Sequence, residues 1–256
     1  MPLPPAPVSV YAAGSLREAL TTLARDHEAR TGQQIALTFG ASGLLRERIE
    51  RGEGAQLFAS ADTGHPQRLA DAGGWQAPLV FARNQLCALT SDRIRTTPDT
   101  LLATLLDPEV RVGTSTPEAD PSGDYAWALF RRADAVQRGA YATLDAKALK
   151  LTGNPAAPLA PPGRGTYAWL MDEGLADVFL TYRTNAIVAQ QEVPRLRVVP
   201  LPDDLQVGAA YGLGVRRDAP AAALRFAHSL GEPAAQQLLR SLGFGAPQAD
   251  DAASLR

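Results

Sequence analysis

The chain has 256 residues, 45% of them hydrophobic and 20% charged, a balance that supports a sizeable core in one large domain or two modest ones. Its 25 basic and 27 acidic residues leave a formal net charge of −2, which excludes a global attraction to nucleic acid or acidic lipid. No uninterrupted apolar run reaches the roughly 18 residues that a membrane span needs, so any ligand is chosen locally by a soluble fold.

The N-terminal "MPLPPAPVSV" is proline-rich and lacks the basic region and apolar core of a secretory signal. That leaves two readings, a cytoplasmic protein or one whose signal has been removed. Val8 to Ala12 reads as a buried strand, and Ser15 to about Thr31 as an amphipathic helix with Leu16, Leu20, Leu23 and His27 on one face. "IALTFG" is the next strand, and Ser42 opens a second helix running to about Arg51. "GAQLFASAD" and "GHPQRLADAGG" supply a third strand and a third helix, a β-α-β-α-β alternation that predicts a mainly parallel, doubly wound α/β sheet.

The pattern renews after "NQLCALTSD". A strand at "VRVGTST", a helix from about Gly123 to Ala135, a helix at "TYAWLMDEG" and a strand at "DVFLTY" predict a second α/β unit. The intervening "TGNPAAPLAPPGRG" reads as an ordered loop, with a flexible linker as the alternative. "AAYGLGVR" is a further strand, two apolar-periodic helices follow, and the tail "PQADDAASLR" is expected to fray.

Cys87, alone in the chain and set in "LCAL", reads as a small core residue rather than a nucleophile. His27, His65 and His228 are scattered, with no HExxH or Cys/His cluster, which argues against a bound transition-metal cation. They read as surface or locally hydrogen-bonded side chains. Tyr11, Trp127 and Trp169 could form a stacking platform, but aromatics at helical or strand spacing are more often core.

The chemistry concentrates where strands turn into helices. A helix N-terminus carries unpaired N–H groups and about half a positive charge, a ready anion site. "AAGSL" and "GASGL" place Ser15 and Ser42 at two such junctions after adjacent strands, at the carboxyl edge of one sheet. Ser122 in "PSGDYAW" marks a third junction, and Arg164 and Gly165 in "PPGRGTYAW" a fourth. Plain helix capping is the competing explanation for each serine. Neutral hydroxyls and amides offer donors only to a dianion that carries no proton, whereas a protonated phosphate also needs an acceptor. Asp120 or Asp124 could supply one, although capping the turn and the helix start suits them better.

The motifs "VYAAGSLREAL", "FGASGLLRERIERGEGAQLFASAD", "TPEADPSGDYA" and "DVFLTYRTNA", spread over roughly residues 8 to 244, resemble those of the periplasmic molybdate-binding proteins of ABC transporters. The resemblance implies a two-lobed, type II periplasmic-binding fold with two mainly parallel sheets, flanking helices and a ligand cleft between the lobes. It implies one lobe from 8–83 plus 212–256 and another from 84–211, with the crossover strands near Asn84–Leu89 and Gly208–Gly212 as the hinge. It further implies a non-catalytic, monomeric periplasmic receptor that captures molybdate or tungstate, uses no cofactor and delivers its cargo to an ABC permease. Carried over by motif, Ser15 and Ser42 would bind through hydroxyl and amide. Ser122 would bind through its backbone N–H, Tyr182 through its phenol, and a last amide would fall near Arg164. Gly43, where the family commonly has a second serine, Asp124, and Arg164, where a small apolar residue is common, depart from that pattern.

Two other functions compete. Arg164 could clamp a different oxyanion or a small carboxylate bidentately. Catalysis by one of the serines would need a neighbouring base, and neither a poised histidine nor a GxSxG elbow is evident.

Overall fold

The computed structural model describes residues 6–247, so the expected frayed tail from Gln248 onward lies outside the described residues. The chain runs β1 (Val8–Ala13), a 3-10 turn (Gly14–Leu16), α1 (Arg17–Thr31), β2 (Ile35–Gly40), α2 (Ser42–Glu50), β3 (Leu57–Ser60), α3 (Gly64–Asp71) and β4 (Leu79–Thr90). It continues through α4 (Leu101–Leu106), β5 (Val112–Ser115), α5 (Pro121–Val136), α6 (Ala140–Lys147), β6 (Leu149–Thr152), α7 (Thr166–Asp172) and β7 (Val178–Tyr182). It ends with α8 (Arg183–Glu192), β8 (Arg197–Pro200), β9 (Gly208–Val215), α9 (Ala221–Ser229) and α10 (Pro233–Ser241).

These elements form two compact units. Among the described residues one holds 6–83 and 210–247, the other Asn84–Ala209, and the chain crosses between them inside β4 and β9.

In the first unit β1 pairs in parallel with β2 and with β3, and the outer end of β9 closes the sheet antiparallel to β3, in the order β2-β1-β3-β9. The parallel register sets Ala13 beside Gly40 and Ala12 beside Ala59. The three strands therefore release their chains at one edge. Tyr11, Leu45, Ile49, Phe58, Leu69 and Trp75 pack as a core cluster. Fully burying side chains of this size contributes about 1.5–3 kcal/mol each. Gly32, at φ 71°, stops α1 in the left-handed conformation that glycine adopts without penalty.

In the second unit the order is β8-β4-β7-β5-β6, with β5 parallel to β6 and β7, and β4 antiparallel to β7 and β8. Ser115, at the end of β5, lies beside Thr152, at the end of β6. Cys87, Leu89, Leu170, Phe179, Ala186 and Leu196 form its core. Burial pushes the Cys87 thiol up to about 12, so it is the apolar core residue the sequence suggests.

The histidine expectation needs correction at His27. His228 is exposed and His65, buried at the start of α3, is locally bonded with its Nδ1 3.4 Å from the Arg46 guanidinium, but His27 is buried edge-on against Phe226, with a 5.2 Å ring separation. Burial first, and then Arg30 and Arg225, lower the pKa of His27. Tyr11 and Trp127 are buried and Trp169 packs against the second core, so these aromatics are structural and form no stacking platform.

Candidate functional site

The first unit builds one donor set at its strand ends. α1 begins at Arg17 rather than Ser15, which instead occupies the 3-10 turn between β1 and α1. The residues in the capping positions of that turn and of α2 are Ala13 and Ala41, which have no side-chain acceptor. An alanine there forgoes about 0.5–2 kcal/mol of capping. Neither serine makes up for it. The Ser42 hydroxyl, at the first position of α2 and fully buried, accepts the Ala61 N–H at 3.1 Å. The Ser15 Oγ, half-buried, is 2.9 Å from the phenol oxygen of Tyr211 on β9. The capping explanation thus fails for both, and the first amides of α2 are left to whatever approaches the junction. Ala61 itself is placed by Asp62, whose carboxylate accepts the Ser60 hydroxyl at 2.8 Å and the His65 N–H at 3.1 Å.

The second unit gathers a different set. Asp120 caps α5, accepting the Ser122 N–H at 3.1 Å and the Ser115 hydroxyl at 2.7 Å. This corrects the expectation for Ser122, because the backbone N–H assigned to a ligand is already taken by a carboxylate. Its hydroxyl is the available group: Ser122 Oγ and Thr152 Oγ1 are buried and complete no hydrogen bond of good geometry among the described residues. Both, with Thr181, surround the phenol of Tyr167. Burial, followed by the charge of Asp120, drives that phenol up to about 12, while the three hydroxyls pull the other way. Asp124 accepts the Glu118 N–H at 2.9 Å and steadies the turn in which Glu118 takes φ 67°. Both aspartates therefore act as caps, as their residue type suggests.

Tyr182 is buried at the entry to α8, which has no side-chain cap, and it meets Tyr125 edge-on with 6.2 Å between ring centres. Arg164 precedes α7 and is engaged within its own unit. Its guanidinium donates to Glu192 and, at 2.9 Å, to Asp172, and its backbone N–H bonds Pro161 O at 3.1 Å. The neighbouring Gly165 N–H goes to Glu192 at 2.8 Å. The amide expected near Arg164 is thus consumed in holding the Pro-rich loop. The two carboxylates hold the Arg164 proton more tightly, and the pKa of Asp172 is lowered by Arg164 and then by Arg195.

Sequence reasoning missed Tyr211, Ala61, Thr152, Tyr167 and Thr181. One of them carried a signal: Thr181 is a polar residue near the end of an apolar strand pattern, as Ser60 is. Among the described residues no group of three or more His, Cys, Asp or Glu is placed to hold a metal ion, and no helix is long and apolar enough to cross a membrane.

Hydroxyls and helix starts collected at the carboxyl edges of two α/β sheets define the class, and the fold is that of type II periplasmic binding proteins. The family model for bacterial extracellular solute-binding proteins matches residues 8–245, and the chain belongs to that family. It is 37% identical over 237 residues to protein PM1146 of Pasteurella multocida, covering 92% of this chain and 97% of that one. The sulfate-binding protein SubI from Mycobacterium tuberculosis superposes with a TM-score of 0.76 at 19% identity, over 97% of this chain and 90% of that one. The periplasmic molybdate-binding protein of Azotobacter vinelandii gives 0.73 at 18% identity, over 94% and 100%. At these identities the structural likeness establishes the fold and leaves the cargo to the residues. As a member of that family the protein is a solute-binding receptor for a small ligand.

Proposed function

We propose that the cargo is a tetrahedral oxyanion that carries no proton, molybdate in the first place and tungstate with it, held by neutral hydroxyls and amides and released to the permease. The observation that carries this reading is Ser42. Its oxygen accepts a backbone N–H from Ala61, so its own hydrogen is left to donate, at the start of a helix whose capping residue is alanine. A site of oriented dipoles holds a dianion without the desolvation penalty of a buried Lys or Arg. Ser15 in the same unit, and the hydroxyls of Ser122 and Tyr182 in the other, complete the proposed donors. The solved neighbours include a molybdate-binding and a sulfate-binding protein, which supports the oxyanion class. The choice of molybdate over sulfate rests on the resemblance in sequence motifs and on size, since both dianions carry the same charge and Mo–O bonds are longer.

The alternative, a carboxylate or other oxyanion clamped by Arg164, has less support because that guanidinium is engaged by Glu192 and Asp172. Isothermal titration with molybdate separates the two. A hydrogen bond to a charged group contributes about 1.5–3 kcal/mol, so Ser42→Ala should weaken binding by roughly 10- to 150-fold. Arg164→Ala should leave it nearly unchanged. Intact binding in Ser42→Ala together with abolished binding in Arg164→Ala would replace this proposal with the clamp.

A further inference from the structure

We infer that Arg17 is a steering residue: its exposed guanidinium, held against the Phe39 ring at the strand ends of the first unit, draws the anionic cargo toward Ser15 and Ser42 and speeds capture without joining the donors. This rests on the reading above, in which those serines take up the cargo.

Arg17 is the first residue of α1 and follows Ser15 by two positions. A cation there meets the positive end of the helix macrodipole, so helix stability does not account for it. Glu18, one residue on, has the sign that suits this end. Arg17 forms no ion pair among the described residues. Its Cζ lies instead 4.5 Å from the centre of the Phe39 ring. Phe39 is the fifth of the six residues of β2 and is in register with Ala12, and the chain runs from it through Gly40 and Ala41 to Ser42. Each serine junction thus supplies one member of the stacked pair. The cation is thereby held at the edge where β1 and β2 end.

A charge that stays exposed keeps its hydration, so it attracts an anion without the desolvation cost of a buried clamp. Such charges act chiefly on the rate of encounter. A unit charge about 10 Å from a dianion in water changes its local concentration about threefold at ~10 mM salt. At about 1 M salt the screening length falls to about 3 Å and the effect vanishes. The net charge of −2 supplies no such attraction.

The test compares Arg17→Gln, Arg17→Glu, Arg17→Lys and Arg25→Gln with the wild type at about 10 mM and about 1 M salt. Isothermal titration with molybdate gives the affinity, a chase of radiolabelled molybdate gives the dissociation rate, and the two together give the association rate. The ligand-free melting temperature of each variant checks its folding. Arg25 is also exposed on α1 but lies about 12 Å further along the helix, so its variant makes the same change in net charge away from the strand ends. At low salt Arg17→Gln should associate about threefold more slowly and Arg17→Glu about tenfold, with dissociation unchanged and both differences gone at high salt. Arg17→Lys, which keeps the charge, and Arg25→Gln should both stay close to the wild type. An unchanged association rate in Arg17→Gln, or an equal loss in Arg25→Gln, overturns the steering role alone. So does a loss that persists at high salt and lies in the dissociation rate, which would mark Arg17 as a contact or a packing residue. If the wild type itself takes up no molybdate, the reading of the site falls and the steering role with it.

Discussion

A serine just before a helix is ordinarily spent on the helix, and the departure of Ser15 and Ser42 from that habit is the most informative feature at the scale of single residues. Both hydroxyls bond away from their own helices, to Tyr211 and to the Ala61 amide, while alanines occupy the capping positions. Asp120 shows the ordinary arrangement in the same protein, capping α5 with its carboxylate. Cys87 makes a separate prediction at this scale. Its thiol is buried and pushed up to about 12 by loss of solvation, so almost no thiolate exists at neutral pH. The native protein should resist a thiol-reactive dye at pH 7 and take up one equivalent only in denaturant. Rapid labelling of the folded protein would show that the second core opens.

At the scale of elements, the start of α5 is set by a close backbone approach that glycine alone permits. A Cβ on Gly123 would lie 2.5–2.7 Å from the backbone of Thr116 and Pro117. In an ordinary helix Gly→Ala gains up to about 1 kcal/mol. Here Gly123→Ala should instead lower the melting temperature by several degrees, since α5 must move off the turn that precedes it. An unchanged or raised melting temperature would mean that the turn yields freely. The same element explains what the sequence showed and what it hid. The β1-to-α3 alternation was legible because each apolar run is long enough to show its period. α6, "AYATLDAK", and α8, "RTNAIVAQQE", were not assigned, because they bury small alanines whose apolar signal is weak. β6, with only the four residues "LKLT" before the Pro-rich loop, left too short a pattern to read. The junction serines were legible as residues, but their hydrogen-bond partners were not. Their partners sit at the end of another strand or far along the chain, and Tyr211 carries no local signal pointing to Ser15.

At the scale of the whole molecule, the family fixes the role of solute-binding protein, and the proposed donors carry the reading of its cargo. A net charge of −2 gives a dianion no long-range attraction, so the proposed capture relies on local donor dipoles rather than on the overall field. Thermal unfolding with millimolar molybdate, tungstate, sulfate or phosphate tests this account most directly. A ligand at 100 times its Kd stabilises the native state by about 2.7 kcal/mol, which is readily seen as a rise in melting temperature. Molybdate and tungstate should produce that rise, while sulfate and phosphate leave the transition where it is. If none of the four shifts it, or phosphate shifts it as far as molybdate does, the strand-end serines do not form a cradle for a proton-free oxyanion.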